Sequence, residues 1–170
     1  MQFQTKKDKV LIVDFGSQVT KLIARRIREL GVYSEIITPK ALKKLKEYNK
    51  IKGIIFSGGP STVTSTKFES VPKNIFKKKI PILGICYGFQ LIAKLFGGKI
   101  KSFKKKREFG RAILFKKKKS LIINRYFNNQ KYVWMSHEDA VVKLPKNFKA
   151  VASSSNSKFT IIENKKDKIY

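Results

Sequence analysis

Four short apolar runs, separated by stretches of helical period, govern what the first hundred residues can fold into. The run "KVLIVDFG" (9–16) is β-branched and almost continuously apolar, which suits a strand buried on both faces, and it ends at Gly16. In "SQVTKLIARRIRELG" (17–31) the residues Val19, Leu22, Ile23, Ile27 and Leu30 share one face of a helix that Gly31 stops. The segment "YSEIIT" predicts a second strand, "ALKKLKEY" a short helix, and "IKGIIFSGGP" a third strand running into a glycine turn. After a polar loop, "IPILGI" is a fourth apolar strand, and "GFQLIAKLF" a helix closed by Gly97 and Gly98. Strands alternating with helices imply an α/β fold whose sheet is mostly parallel and flanked by helices.

From about Lys99 the helical period disappears and seven short strands are predicted: "GKIKSF", "GRAILF", "SLIIN", "KYVWM", "AVVKL", "KAVASSS" and "FTIIE". No Pro/Gly/Ser-rich linker divides them from the first half, so they read as an antiparallel C-terminal extension of the same domain. At 170 residues the chain suits one domain and not two. The final "FTIIENKKDKIY" predicts a strand, a polar turn at Asn164–Asp167 and a return arm of only Lys168, Ile169 and Tyr170. Such an arm makes few ladder bonds and is expected to leave an unpaired, destabilising edge.

The formal charge of +28 invites a nucleic-acid reading. Against it, 33 of the 39 basic residues are Lys and only six are Arg, the side chain whose planar fork suits phosphate. Clusters such as "FKKKRE" and "FKKKKS", alongside plentiful Asn, Ile, Phe and Tyr, look like AT-rich coding acting on tolerant surface positions. Weak, salt-sensitive attraction to polyanions is expected, and specific nucleic-acid recognition is not. No apolar run approaches the ~20 residues of a membrane helix, and the N-terminal stretch lacks the pattern of a signal peptide; a soluble, cytoplasmic protein is expected. One Cys and one His exclude an internal disulfide and a Cys/His metal site.

That one cysteine carries the chemistry. Cys86 follows an apolar strand and precedes a helix, flanked as Gly84-Ile85-Cys86-Tyr87-Gly88. G-x-C-x-G is the thiol counterpart of the G-x-S-x-G elbow, in which a sharp turn exposes a nucleophile at the end of a strand. A helix N-terminus aimed at the sulfur is expected to favour the thiolate and lower its pKa. The Tyr87 N–H is placed to meet a developing oxyanion. If the third and fourth strands are neighbours, Gly58 and Gly59 bring further backbone N–H groups to the same place, at the carboxyl ends of the strands where α/β sheets bind ligands.

Taken together, "VDFGSQ" (13–18), "ARRIRELGVY" (24–33), "SGGPST" (57–62), "GICYGFQL" (84–91), "REFG" (107–110) and "VWMSHED" (133–139) closely resemble class I glutamine amidotransferase domains of the GMP synthetase type. The resemblance runs from Lys9 to Tyr170. It implies a flavodoxin-like mixed sheet and a glutaminase reaction that supplies ammonia for the conversion of XMP to GMP in purine biosynthesis. Cys86 is then the nucleophile, Gly59 and Tyr87 supply the oxyanion N–H groups, Gln90 helps hold glutamine, and Ser136, His137 and Asp139 recognise its α-amino and carboxylate end. It implies no cofactor in this chain. ATP and Mg2+ belong to a synthetase (ATP pyrophosphatase) domain or subunit, which is not found in these residues and is expected as partner.

Two departures qualify the resemblance. The family pattern after "MSH" continues Gly-Asp where this chain has Glu138, which is expected to disturb a close backbone approach. The family's catalytic histidine and its orienting glutamate, in a His-Pro-Glu motif after the strand beginning "KIY", have no counterpart in these 170 residues. The chain is therefore expected to be a C-terminally incomplete domain, weak or inactive alone. His137 reads better as a pocket residue than as a substitute base. The competing expectations are a non-catalytic regulatory or scaffold remnant of a split synthetase and a basic nucleic-acid-binding α/β domain.

Overall fold

A computed structural model describes residues 8–103, 108–124, 126 and 128–170. The four apolar runs form strands β1 (Lys9–Val13), β2 (Ser34–Ile37), β3 (Ile51–Phe56) and β4 (Ile82–Gly84). They make one parallel sheet in the order β2-β1-β3-β4. Helices α1 (Thr20–Glu29) and α2 (Pro39–Lys44) lie between them, and α3 (Tyr87–Leu95) follows β4. Thr38 caps α2 by accepting a bond from the Ala41 N–H, with Pro39 supplying a ready-made first turn.

The second half supplies β5 (Lys99–Ser102), β6 (Glu108–Lys116), β7 (Gln130–His137), β8 (Asp139–Lys143), β9 (Lys149–Ser153) and β10 (Ile161–Glu163). They pair as a four-stranded antiparallel sheet, β10-β9-β6-β7, and a β5-β8 ribbon. The fold is thus built from separate parallel and antiparallel sheets. Among the described residues no helix is long and apolar enough to cross a membrane.

Four expectations need correction. The α1 face is turned by about one residue: Thr20 and Ala24 are buried and Ile23 and Ile27 half-buried, whereas Val19, Leu22 and Leu30 are exposed. Small side chains let the helix approach the sheet closely, and the Ser34 hydroxyl donates to the Ala24 carbonyl at 3.1 Å. "SLIIN" is a turn and not a strand, because the Ser120 N–H and carbonyl are both taken by Asn124. The loop before β4 is not merely polar, since Val63, Val71 and Ile75 enter the core, the last from a 3₁₀ helix over Lys73–Lys78.

The fourth correction concerns the C-terminal arm. After the Asn164–Asp167 turn, Ile169 bridges Asn164 in antiparallel fashion and Ile82 in parallel fashion. The Gly84 N–H donates to the Tyr170 carbonyl at 2.8 Å, and the Tyr170 N–H donates to the Ile82 carbonyl at 2.8 Å. The arm covers the edge of β4, ties the two sheets together and buries Ile169 completely. Ile169→Ala should therefore cost about 2–4 kcal/mol, read as a lower urea midpoint; a change below about 0.5 kcal/mol, typical of surface positions, would show that the arm contributes nothing.

Candidate active site

The parallel pairing of β3 with β4 sets the two glycine turns side by side at the carboxyl end of the sheet. Ile85 N–H donates to the Phe56 carbonyl at 2.9 Å and Gly88 N–H to the Ser57 carbonyl at 3.0 Å, so both strand ends are locked to the start of α3. Between these two bonds Cys86 takes φ 51°, ψ −109°. Positive φ in a residue with a side chain is strained, and here it delivers the thiol to the mouth of a cavity. The flanking glycines are required by contact: a Cβ at Gly84 would lie 2.7 Å from the Phe89 nitrogen, and one at Gly88 would lie 2.4 Å from the Phe56 carbonyl oxygen.

The cavity has a volume of about 460 Å3, within the range of small-molecule sites, and Gly59, Cys86, Tyr87, Gln90, Ser136 and Asp139 are among its lining residues. His137 and Glu138 line it as well. All seven sequence-predicted site residues therefore meet in one place. Gly58 faces Cys86: a Cβ added there would sit 3.4 Å from the Cys86 Cβ. Gln90 is buried, and its Nε2 donates to the Asp139 carbonyl at 3.2 Å, so part of its hydrogen-bonding capacity braces the opposite wall. A second, mainly apolar cavity of about 500 Å3 shares Cys86, Gln90, Ser136, His137 and Asp139 with the first.

The electrostatics reverse one expectation. Cys86 is exposed through the cavity mouth but enclosed by protein elsewhere. Burial pushes its thiol above the usual range, the Tyr87 N–H pulls it down, and the Asp139 carboxylate adds to the rise. Desolvation outweighs the helix N-terminus, and the group is held as a thiol. The S–H donates to the Ser136 carbonyl across 4.0 Å. Alkylation by a small neutral reagent such as iodoacetamide should accelerate with pH to a midpoint above the ordinary 9.0; a midpoint below it would overturn this picture.

The family model "Glutamine amidotransferase class-I" matches residues 11–170. The chain belongs to the class I glutamine amidotransferase family. It is 46% identical over 169 residues to a GMP synthase [glutamine-hydrolyzing] of Treponema denticola, which covers 99% of this chain and 32% of the relative. It is 46% identical over 165 residues to the corresponding enzyme of Agrobacterium fabrum, covering 96% of this chain and 31% of that one. The amidotransferase chain thus spans about a third of the length of these relatives. Among solved structures, a protein of Thermoplasma acidophilum described as one subunit of a GMP synthase superposes with a TM-score of 0.83 at 32% identity, over 95% of this chain and 80% of that one.

Several residues of this amidotransferase site escape a reading of the sequence. Thr62 donates a short hydrogen bond to the Asp139 carboxylate and pins the Gly59 loop to β8. Glu108 is buried opposite His137 in the β6–β7 register, with its Oε2 3.1 Å from the His137 Nε2. Arg107, just before it, lies outside the described residues. Non-glycine residues with positive φ, among those described, are Lys79, Cys86, Asn147 and Lys168. Glu138 is therefore accommodated in the bend between β7 and β8 without left-handed backbone, and its carbonyl accepts from the Phe103 N–H at 3.2 Å.

Proposed function

We propose that this chain is the glutaminase portion of a GMP synthase. Cys86 attacks the side-chain amide carbon of glutamine, breaking the carbonyl π bond and placing negative charge on oxygen. The N–H groups of Gly59 and Tyr87 receive that oxyanion. Collapse of the intermediate breaks the C–N bond and expels the nitrogen, which leaves as ammonia with the proton given up by the Cys86 thiol; water then cleaves the glutamyl thioester to glutamate and returns a proton to the sulfur. Gln90 helps hold the glutamine, and Ser136, His137 and Asp139 recognise its α-amino and carboxylate end. The observation that carries the reading is the strained Cys86 elbow, opening into a cavity in which these residues converge.

In the same reading the ammonia passes to an ATP- and Mg2+-using synthetase partner that converts XMP to GMP, and the names of the relatives support this. Exposed Trp134, Tyr132 and Phe109 on the β6–β7 face, the last of them at the cavity mouth, are side chains of the kind that partners cover. Because the thiol is held protonated and the one histidine faces Glu108, steady ammonia release by the 170-residue chain should be slow relative to covalent labelling.

The test uses a chloroketone analogue of glutamine: the Cys86 sulfur displaces chloride, a thioether forms and the thiol proton goes to water. Mass spectrometry should find the adduct on Cys86, saturating with reagent, suppressed by glutamine and lost in Cys86→Ala. Labelling that neither saturates nor responds to glutamine would remove the glutaminase reading.

A further inference from the structure

We infer that Glu108 is a positioning residue of the glutamine site, acting through His137. This rests on the glutaminase reading and adds a residue to it. Glu108 stands directly across the β6–β7 ladder from His137, and its side chain is only 4% exposed. A carboxylate so buried is costly unless a donor faces it. Among the described residues its Oε2 has no hydrogen-bond partner, and the His137 Nε2 lies 3.1 Å from it. The contact is close in distance but not aligned as a hydrogen bond, so the pair is near its partnered geometry without occupying it. His137, 19% exposed, is also part of the wall of the Cys86 cavity.

The imidazole therefore has one side facing a buried carboxylate and the other available to the cavity. A proton on Nε2, directed at Glu108, fixes the tautomer and the ring plane. A small ring rotation when the amino-acid end of glutamine engages would align the Nε2–H with Oε2 and satisfy the orphaned oxygen. Binding is then strengthened by an interaction that is incomplete in the empty site. Glu108 itself is not among the residues lining the Cys86 cavity, so it acts through His137.

The experiment compares wild type, Glu108→Gln, His137→Ala and the double variant with two reagents: the glutamine chloroketone, which carries the α-amino and carboxylate groups, and iodoacetamide, which does not. Glu108→Gln keeps the shape of the side chain and removes its charge. It should raise the half-saturating concentration of the chloroketone about tenfold while leaving the iodoacetamide rate within about twofold. In the His137→Ala background the same change should add nothing, because the partner is gone. Since His137 is the only histidine, its imidazole nitrogen resonances can be read without assignment. In the chloroketone adduct they should report a single Nε2–H tautomer in wild type and a mixture in Glu108→Gln.

A parallel loss with both reagents, accompanied by a lowered thermal midpoint, would mark Glu108 as structural only and overturn the inference. So would an unchanged chloroketone response, or full additivity with His137→Ala. If wild type itself fails to saturate with the chloroketone, the glutaminase reading falls and this inference falls with it. If wild type saturates and Glu108→Gln matches it, only the role of Glu108 is lost.

Discussion

Gly88→Ala should abolish the selective reactivity of Cys86, slowing chloroketone labelling about a hundredfold, the loss that accompanies an ångström of misplacement at a reacting group. The added Cβ would lie 2.4 Å from the Phe56 carbonyl oxygen, 2.6 Å from its Cβ and 2.7 Å from its carbonyl carbon. None of these can yield. Phe56 is fully buried at the end of β3, and its carbonyl already accepts the Ile85 N–H. The accommodation must come from α3, whose first turn would lift away from β3 and take the Tyr87 N–H away from the sulfur. Overpacking of this kind costs about 1–3 kcal/mol, so the variant should still fold while losing its elbow. Gly97→Ala is the control. With φ +85° and nothing within 4 Å, it should cost about 1–2 kcal/mol of backbone strain and leave labelling unchanged. Equal labelling by Gly88→Ala and wild type would show that the contact with Phe56 does not set the thiol's position.

The comparison of these two glycines indicates why the site was legible in the sequence. A nucleophile elbow is a local device: its glycines, its nucleophile and the start of the following helix sit within the five residues Gly84 to Gly88, and close backbone approach admits no other side chain. The parallel strands were legible for a similar reason, since a strand buried on both faces must be apolar along its whole length. What failed depended on distant partners. Val19, Leu22 and Leu30 have the right period for a buried face, but α1 packs through Thr20 and Ala24 because Ser34 and the sheet leave room only for small side chains. Glu108 reads as an ordinary strand carboxylate until the β6–β7 register sets it opposite His137. The fate of the last three residues turned on a neighbour, β4, nearly ninety positions earlier. Local chemistry was written locally; the second layer of support was written across the ladders.

Asp14→Ala should destabilise the fold by about 3 kcal/mol and weaken the site at a distance, and its acid dependence makes the mechanism testable. The Asp14 carboxylate accepts from the Thr20 hydroxyl at 2.7 Å, the Gly16 N–H at 2.9 Å and the Ser17 N–H at 3.2 Å. The Ser57 hydroxyl lies at 3.5 Å; it donates more closely to the Gly58 carbonyl, at 2.7 Å, and accepts the Phe15 N–H at 3.0 Å. These bonds hold the turn after β1 against the glycine turn after β3, where the Phe15 carbonyl fills the space that a Gly59 Cβ would need. Partial burial pushes the carboxyl up, but the bonds from Thr20, Gly16, Ser17 and Ser57 outweigh it and hold the group below its ordinary 3.8. A carboxyl depressed by folding stabilises the native state above its unfolded value and loses that contribution as pH falls through the lower, folded one. The advantage of wild type over Asp14→Asn in urea midpoint should thus be complete at neutral pH and shrink below about pH 4. A gap that stayed constant into acid would mean that the ionised carboxylate is not what holds the turn. A gap that shrank without any loss of chloroketone labelling at neutral pH in the variant would separate the turn from the site. The turn after β1 meets the glycine turn after β3 through Phe15 and Gly59, so stability and labelling should fall together.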